Sequence, residues 1–179
     1  YLIRISEKYA QGDRTLFSFI DKKLRQFVEQ EDVMKDGKLN LLGIDTVMDS
    51  FGSVIARGRE EFSKAYSTQL ASASTELQKR IVKALALDYA VTITDIGKIK
   101  AGINDDNIKH ILSLNDEELK AAKEYLLRES NNAESYILYN TRLGGYELSP
   151  DTAGVNIEEE ISKLLPKTNE QRQLRNLIA

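Results

Sequence analysis

The order of elements across residues 76–148 constrains this chain more than any other feature. Leu77, Ile81, Val82, Leu85 and Leu87, with Ala84 and Ala86 among them, make 76–89 an apolar helix, with Ser74 or Thr75 as its cap. Apolar side chains three and four residues apart share one helix face. Two short helical pieces follow. Thr94 and Asp95 open one over 96–101 that Gly102 ends, and Asn104 and Asp105 open another carrying Ile108, Ile111 and Leu112. Asn115 and Asp116 then cap a charged helix that runs to Arg128, with Leu119, Ala122, Tyr125 and Leu126 on its inward face. Two β-enriched runs close the stretch, 135–139 and 143–148, joined across Thr141 and Arg142 with Gly144 and Gly145 near the turn. Such runs around a short glycine-containing turn predict a hairpin. The β-branched run 91–93 reads as a very short strand.

Three helices and then a hairpin is the order of a winged helix. The expected fold class is therefore mainly α. A helical, lid-like subdomain over 1–74 precedes a winged-helix-like domain over 75–165 with one small β-hairpin, and a helical tail occupies 166–179. In the first part, Asp13 stands where an N-cap belongs, ahead of an apolar face made by Leu16, Phe17, Phe19, Ile20, Leu24, Phe27 and Val28. The polar run 29–40, with Asp36 and Gly37 at its tip, reads as a connection. A second helical pattern runs from Leu41 to Ile55 through Gly52, and Gly58 marks a break. Phe62, Tyr66 and Leu70, spaced by four, predict an amphipathic helix over 59–71.

Composition narrows the chemistry. The 179 residues contain no cysteine, which excludes disulfides, thiolate-ligated zinc and a thiol nucleophile. His110 is the one histidine, and no paired motif surrounds it, so it reads as an ordinary surface or partly buried residue. No run of about 18 apolar residues and no secretory pattern is present, so neither a membrane span nor a membrane partner is expected and a cytoplasmic location is the default. The chain starts at Tyr1, and the expectation is a C-terminal piece of a larger protein.

Two regions resemble a known family. The run Gly12, Asp13, Arg14, Thr15, Leu16, Phe17, Ser18, Phe19, Ile20 is similar to the "RTLFSFL" run of bacterial P-loop ATPases of the AAA-like, helicase-loader-related and STAND-related groups, where it lies in the helical lid. Lys83 to Leu87, the run Tyr146, Glu147, Leu148, and Val155 to Glu159 resemble the winged-helix region that follows such lids. The resemblance implies a non-catalytic C-terminal region that couples nucleotide state to a partner, with ATP and magnesium held by an ATPase core upstream in the same chain. No G-x-x-x-x-G-K-S/T run is present, so no cofactor and no catalytic residue is expected within these residues. Arg14 is the residue to which the resemblance attaches nucleotide chemistry, because a guanidinium at a lid-helix start can clamp phosphate oxygens. It follows Gly-Asp directly, one position earlier than in a "G-D-x-R" pattern.

A winged helix raises the question of DNA. Groove binding rests on Lys and Arg against phosphates. The candidate recognition helix, 116–128, sets Lys120, Lys123 and Arg128 against Asp116, Glu117, Glu118 and Glu124, and its first turn is acidic. The wing offers Arg142 between Glu134 and Glu147. Lys120, Lys123, Arg128 and Arg142 are the candidate contacts for nucleic acid or for a partner, and the charge balance favours a protein. The alternatives are a free-standing winged-helix nucleic-acid binder and a purely structural helical scaffold. Tyr136, Tyr139 and Tyr146 are expected to pack their rings on the core and wet their hydroxyls.

Overall fold

The computed structural model describes residues 16–30, 34–35, 38–39, 42–92, 102–105 and 107–150. The Arg14 expectation, the short helix over 96–101 and everything expected after Pro150 lie outside the described residues.

The described chain is mainly helical. α1 (Leu16–Phe19), a π-helical turn (Ile20–Leu24) and α2 (Arg25–Gln30) follow one another without a break, and the Arg25 N–H donates to the Ile20 carbonyl, five residues back. The run read as a polar connection holds a minimal hairpin instead. β1 (Met34–Lys35) pairs antiparallel with β2 (Lys38–Leu39), Met34 opposite Leu39 and Lys35 opposite Lys38. α3 (Asp45–Ala56) and α4 (Glu60–Ser72) follow, separated at Gly58, whose φ of +70° glycine adopts without strain.

α5 (Glu76–Thr92) is the centre of the molecule. Thr75 caps it: Gln78 N–H donates to Thr75 Oγ1 at 3.2 Å, and Gln78 Oε1 accepts from Ser74 N–H at 2.8 Å and from Thr75 N–H at 3.4 Å. This satisfies amide donors that the helix itself leaves unpaired. α3, α4, α7 and β4 all pack on α5. Ile81, Val82, Ala84, Leu85, Ala86, Leu87 and Ala90 are fully buried, and a single apolar cluster runs from Phe19 through Phe51, Ile55 and Phe62 to Leu126 and Leu148. A helix buried nearly all round is held by packing rather than by propensity. That is why Val91 and Thr92 continue the helix instead of forming the short strand their β-branched side chains predict.

α6 (Ile108–Ile111) is one turn long. Its end is closed by Ser113 at φ 54°, with Leu114 N–H donating to the Lys109 carbonyl at 2.9 Å. α7 (Asp116–Ser130) starts with a full capping box between Asn115 and Glu118. β3 (Ile137–Asn140) and β4 (Gly145–Leu148) pair antiparallel from Ile137 opposite Leu148 to Asn140 opposite Gly145. Asn140 Oδ1 accepts from Arg142 N–H at 3.0 Å and from Leu143 N–H at 3.2 Å, which folds the tip. Ile103, between α5 and α6, bridges antiparallel to Tyr146, each N–H donating to the other's carbonyl at 3.1 and 2.7 Å. Among the described residues no helix is long and apolar enough to cross a membrane.

The bridge depends on two glycines. A Cβ built on Gly145 would lie 2.8 Å from the backbone carbon of Gly102 and 3.0 Å from its oxygen. Gly145→Ala is expected to push Ile103 off β4 and cost ~1–3 kcal/mol in urea unfolding, the usual range for an overpacked site. Gly144→Asn is the control. It has a φ of +63° that asparagine tolerates and nothing within 4 Å of its Cβ, so it should shift the midpoint little.

Candidate interaction surface

α7 and the hairpin carry the candidate contacts, and local chemistry decides how free each is. The capping box engages the first turn of α7, where Glu118 N–H donates to Asn115 Oδ1 and Asn115 N–H to Glu118 Oε2, each at 2.9 Å. Asp116 is paired with Lys109. Lys123 reaches Asp105 at 3.2 Å. Arg128 donates from Nη2 to Glu129 Oε1 at 3.0 Å, and its guanidinium lies 5.4 Å from the centre of the Tyr125 ring. Lys120, in the second turn of α7, and Arg142, in the hairpin loop, are exposed. Thus two of the four candidate cations are engaged with groups of the same module. The other two stand on different elements. As folded, α7 also takes in Glu129, which gives it five acidic side chains against three basic ones.

The tyrosines divide. Tyr136 and Tyr146 are buried, while Tyr139 is 48% exposed and meets the Tyr146 ring edge-on at 5.1 Å. Leu127 is also exposed, on α7. His110 lies on the surface of α6. Tyr66, stacked on Phe62 with 6.0 Å between ring centres, has its hydroxyl pushed up to about 12 by burial and by the nearby Asp49 carboxylate.

Behind this surface lies a polar cluster that sequence reasoning missed. Gln69 of α4 is 2% exposed. Its amide donates to Glu129 Oε2 at 2.8 Å and lies 3.5 Å from the Tyr125 hydroxyl. Its oxygen accepts from Tyr136 N–H at 3.0 Å and from Ser135 Oγ at 3.1 Å. One side chain therefore joins α4, α7 and the start of β3. Burial holds the Tyr125 hydroxyl above its ordinary value, with a smaller push from the Glu129 charge, against the opposing effects of Gln69 and Arg128. The available signal was periodicity, because Gln69 falls seven residues after Phe62 on the buried face of α4.

A second ion-paired seam joins α3 to α5. Arg80 Nε lies 3.2 Å from Asp45 Oδ2, and Lys83 Nζ lies 2.7 Å from Asp49 Oδ1. Arg80 also donates to the carbonyl of Leu112, just beyond α6. Among the described residues no group of three or more His, Cys, Asp or Glu side chains is placed to hold a metal ion. No protein-family model, no curated protein and no solved structure matches the chain.

Proposed function

We propose that residues 75–150 form a winged-helix-type module and that the chain is a non-catalytic interaction region of a P-loop ATPase-type protein. In this reading it couples nucleotide state in an ATPase core, which holds ATP and magnesium, to a protein partner. The carrying observation is the order α5, Ile103, α6, α7, β3, β4, with Ile103 bridged to Tyr146 so that the hairpin is closed onto the helices. The ATPase part rests on the resemblance of the run from Gly12 to Ile20. A protein partner is favoured over duplex DNA by the acidic α7 and by the pairing of Lys123 and Arg128.

The test is a titration of labelled duplex DNA with the chain at about 50 mM salt, where even non-specific binders saturate at roughly micromolar concentrations. No saturable binding is expected, and no phosphate release from ATP. Salt-sensitive saturation that Lys120→Glu and Arg142→Glu abolish would establish the second reading, a nucleic-acid binder, which the exposure of those two residues favours. Turnover that tracks the protein through purification would remove the ATPase-region reading.

A further inference from the structure

We infer that the outer edge of β3 is a seam between two copies of this chain, β3 running antiparallel to β3 of the second copy about a two-fold axis at Leu138. The inference rests on the hairpin and not on the winged-helix reading. Among the described residues the sheet order is Ile103, β4, β3, so β4 has a neighbour on both sides and β3 on one.

The hydrogen-bond pattern fixes which groups β3 turns outward. Ladder bonds alternate along an antiparallel pair. Ser149 N–H donates to the Tyr136 carbonyl at 2.9 Å, and Tyr146, opposite Tyr139, turns its own N–H and carbonyl away to Ile103. Leu138 and Asn140 therefore bond towards β4, while Ile137 and Tyr139 turn their N–H and carbonyl groups outward. Ser135 Oγ takes the Ile137 N–H at 3.1 Å. Edge strands are usually blunted by a charge, a proline or a bulge. β3 reads Ile, Leu, Tyr, Asn in unbroken register and carries none of these. Its Leu138 stands with Glu147 on the face away from the buried Ile137 and Leu148.

One register suits a second copy. Only outward-turned residues can bond across the seam, so odd positions must meet odd positions. A two-fold at Leu138 pairs Ile137 with Tyr139 of the second copy and Tyr139 with Ile137, and sets Leu138 against Leu138 as a narrow pair. Each Tyr139 N–H then donates to an Ile137 carbonyl. In the flanking turns the same register brings Glu134 to Arg142 of the second copy, and Arg142 to Glu134. Both are exposed. Asn132 Oδ1 accepts from Glu134 N–H at 3.1 Å and Asn140 Oδ1 from Arg142 N–H at 3.0 Å, so turns hold both in place. They lie beyond opposite ends of β3, so each meets the other only across the seam. A two-fold at Tyr139, the other register that this edge allows, sets Glu134 against Gly144 and leaves both charges unanswered. The charge reciprocity at Leu138 is what commits the edge to a second copy. The seam is short beside the roughly 800 Å² per partner of a standard interface, so the pairing is weak and depends on concentration.

Sedimentation velocity of the 179-residue chain from about 10 µM to about 1 mM should show a growing dimer, in the range expected of a small interface. E134R and R142E should each weaken it at least about tenfold, because each sets like charges together at both ends of the seam. An equimolar mixture of the two variants should recover the dimer, because both ends then join opposite charges. Leu138→Lys should abolish pairing, with folding checked by circular dichroism; within one copy the new ammonium stands opposite Glu147. The chain has no cysteine, so Leu138→Cys reads the register directly. A narrow pair sets its Cα atoms about 4.5 Å apart, a span that a disulfide closes. Under mild oxidation Leu138→Cys should therefore cross-link faster than the more exposed Thr141→Cys. A monomer at every concentration, which is the result if another segment of the chain or a different protein covers the edge, overturns the inference. So does a dimer indifferent to both reversals, a mixture that does not recover, or Thr141→Cys cross-linking as fast as Leu138→Cys.

Discussion

Gln69→Leu should lower stability by ~3–5 kcal/mol, more than any other conservative change outside the apolar core. A buried polar group left without its partner costs about 1–3 kcal/mol, and more when the group is charged. Leucine fills nearly the same space but removes the partner of Tyr136 N–H and Ser135 Oγ on one side and of Glu129 Oε2 on the other. Glu129 is 7% exposed and, among the described residues, would keep only Arg128, which is itself largely in solvent. Because one amide spans α4, α7 and β3, the loss should appear as a single cooperative shift in urea unfolding, followed by circular dichroism. Gln69→Leu combined with Glu129→Leu should recover part of it, because the double change leaves no buried carboxylate in this cluster. A shift below about 1 kcal/mol for the single variant would mean that water replaces the amide and the network carries no stability.

The ends of the helices were legible where a side chain caps them. Thr75 and Asn115 sit at their N-caps because their oxygens take amide protons that the helix leaves free. The hairpin was legible for a similar local reason, since β-enriched runs flank a turn built by Asn140. What was not legible is long-range. Nothing around Ile103 predicts a bridge, because a single residue has no period, and its partner Tyr146 lies 43 positions on. Val91 misled because propensity is a weak prior once a helix is buried on several sides. Of the candidate contacts, the types of Lys123 and Arg128 were readable, but their pairing with Asp105 and Glu129 is set by how α7 lies in the fold.

Arg80→Met is the second large effect expected, at ~2–4 kcal/mol, and its mechanism differs from that of Gln69. The Asp45 side chain is 7% exposed against 29% for Arg80. Breaking a buried pair by removing one partner typically costs about 3–5 kcal/mol because the other charge stays behind unpaired, and the solvent around Arg80 discounts that figure. Asp45 has little to fall back on. Its Oδ1 is buried without a hydrogen-bond partner among the described residues and lies over Gly43, where a Cβ would be only 2.2 Å away. The positive end of α3 is the remaining compensation. Arg80 also holds the Leu112 carbonyl, so its loss loosens the segment after α6 as well as the contact between α3 and α5. Arg80→Lys should recover only part of the loss, because one ammonium does not reproduce a planar fork serving two acceptors. Lys83→Met, at the more exposed pair with Asp49, sets the scale at about 0.2–1 kcal/mol. The deciding measurement is a double-mutant cycle with Asp45→Ala. If burial makes the lone carboxylate costly, the double variant should be more stable than the sum of the singles by about 1–3 kcal/mol. Strict additivity would instead assign the effect of Arg80 to its hydrogen bond with Leu112.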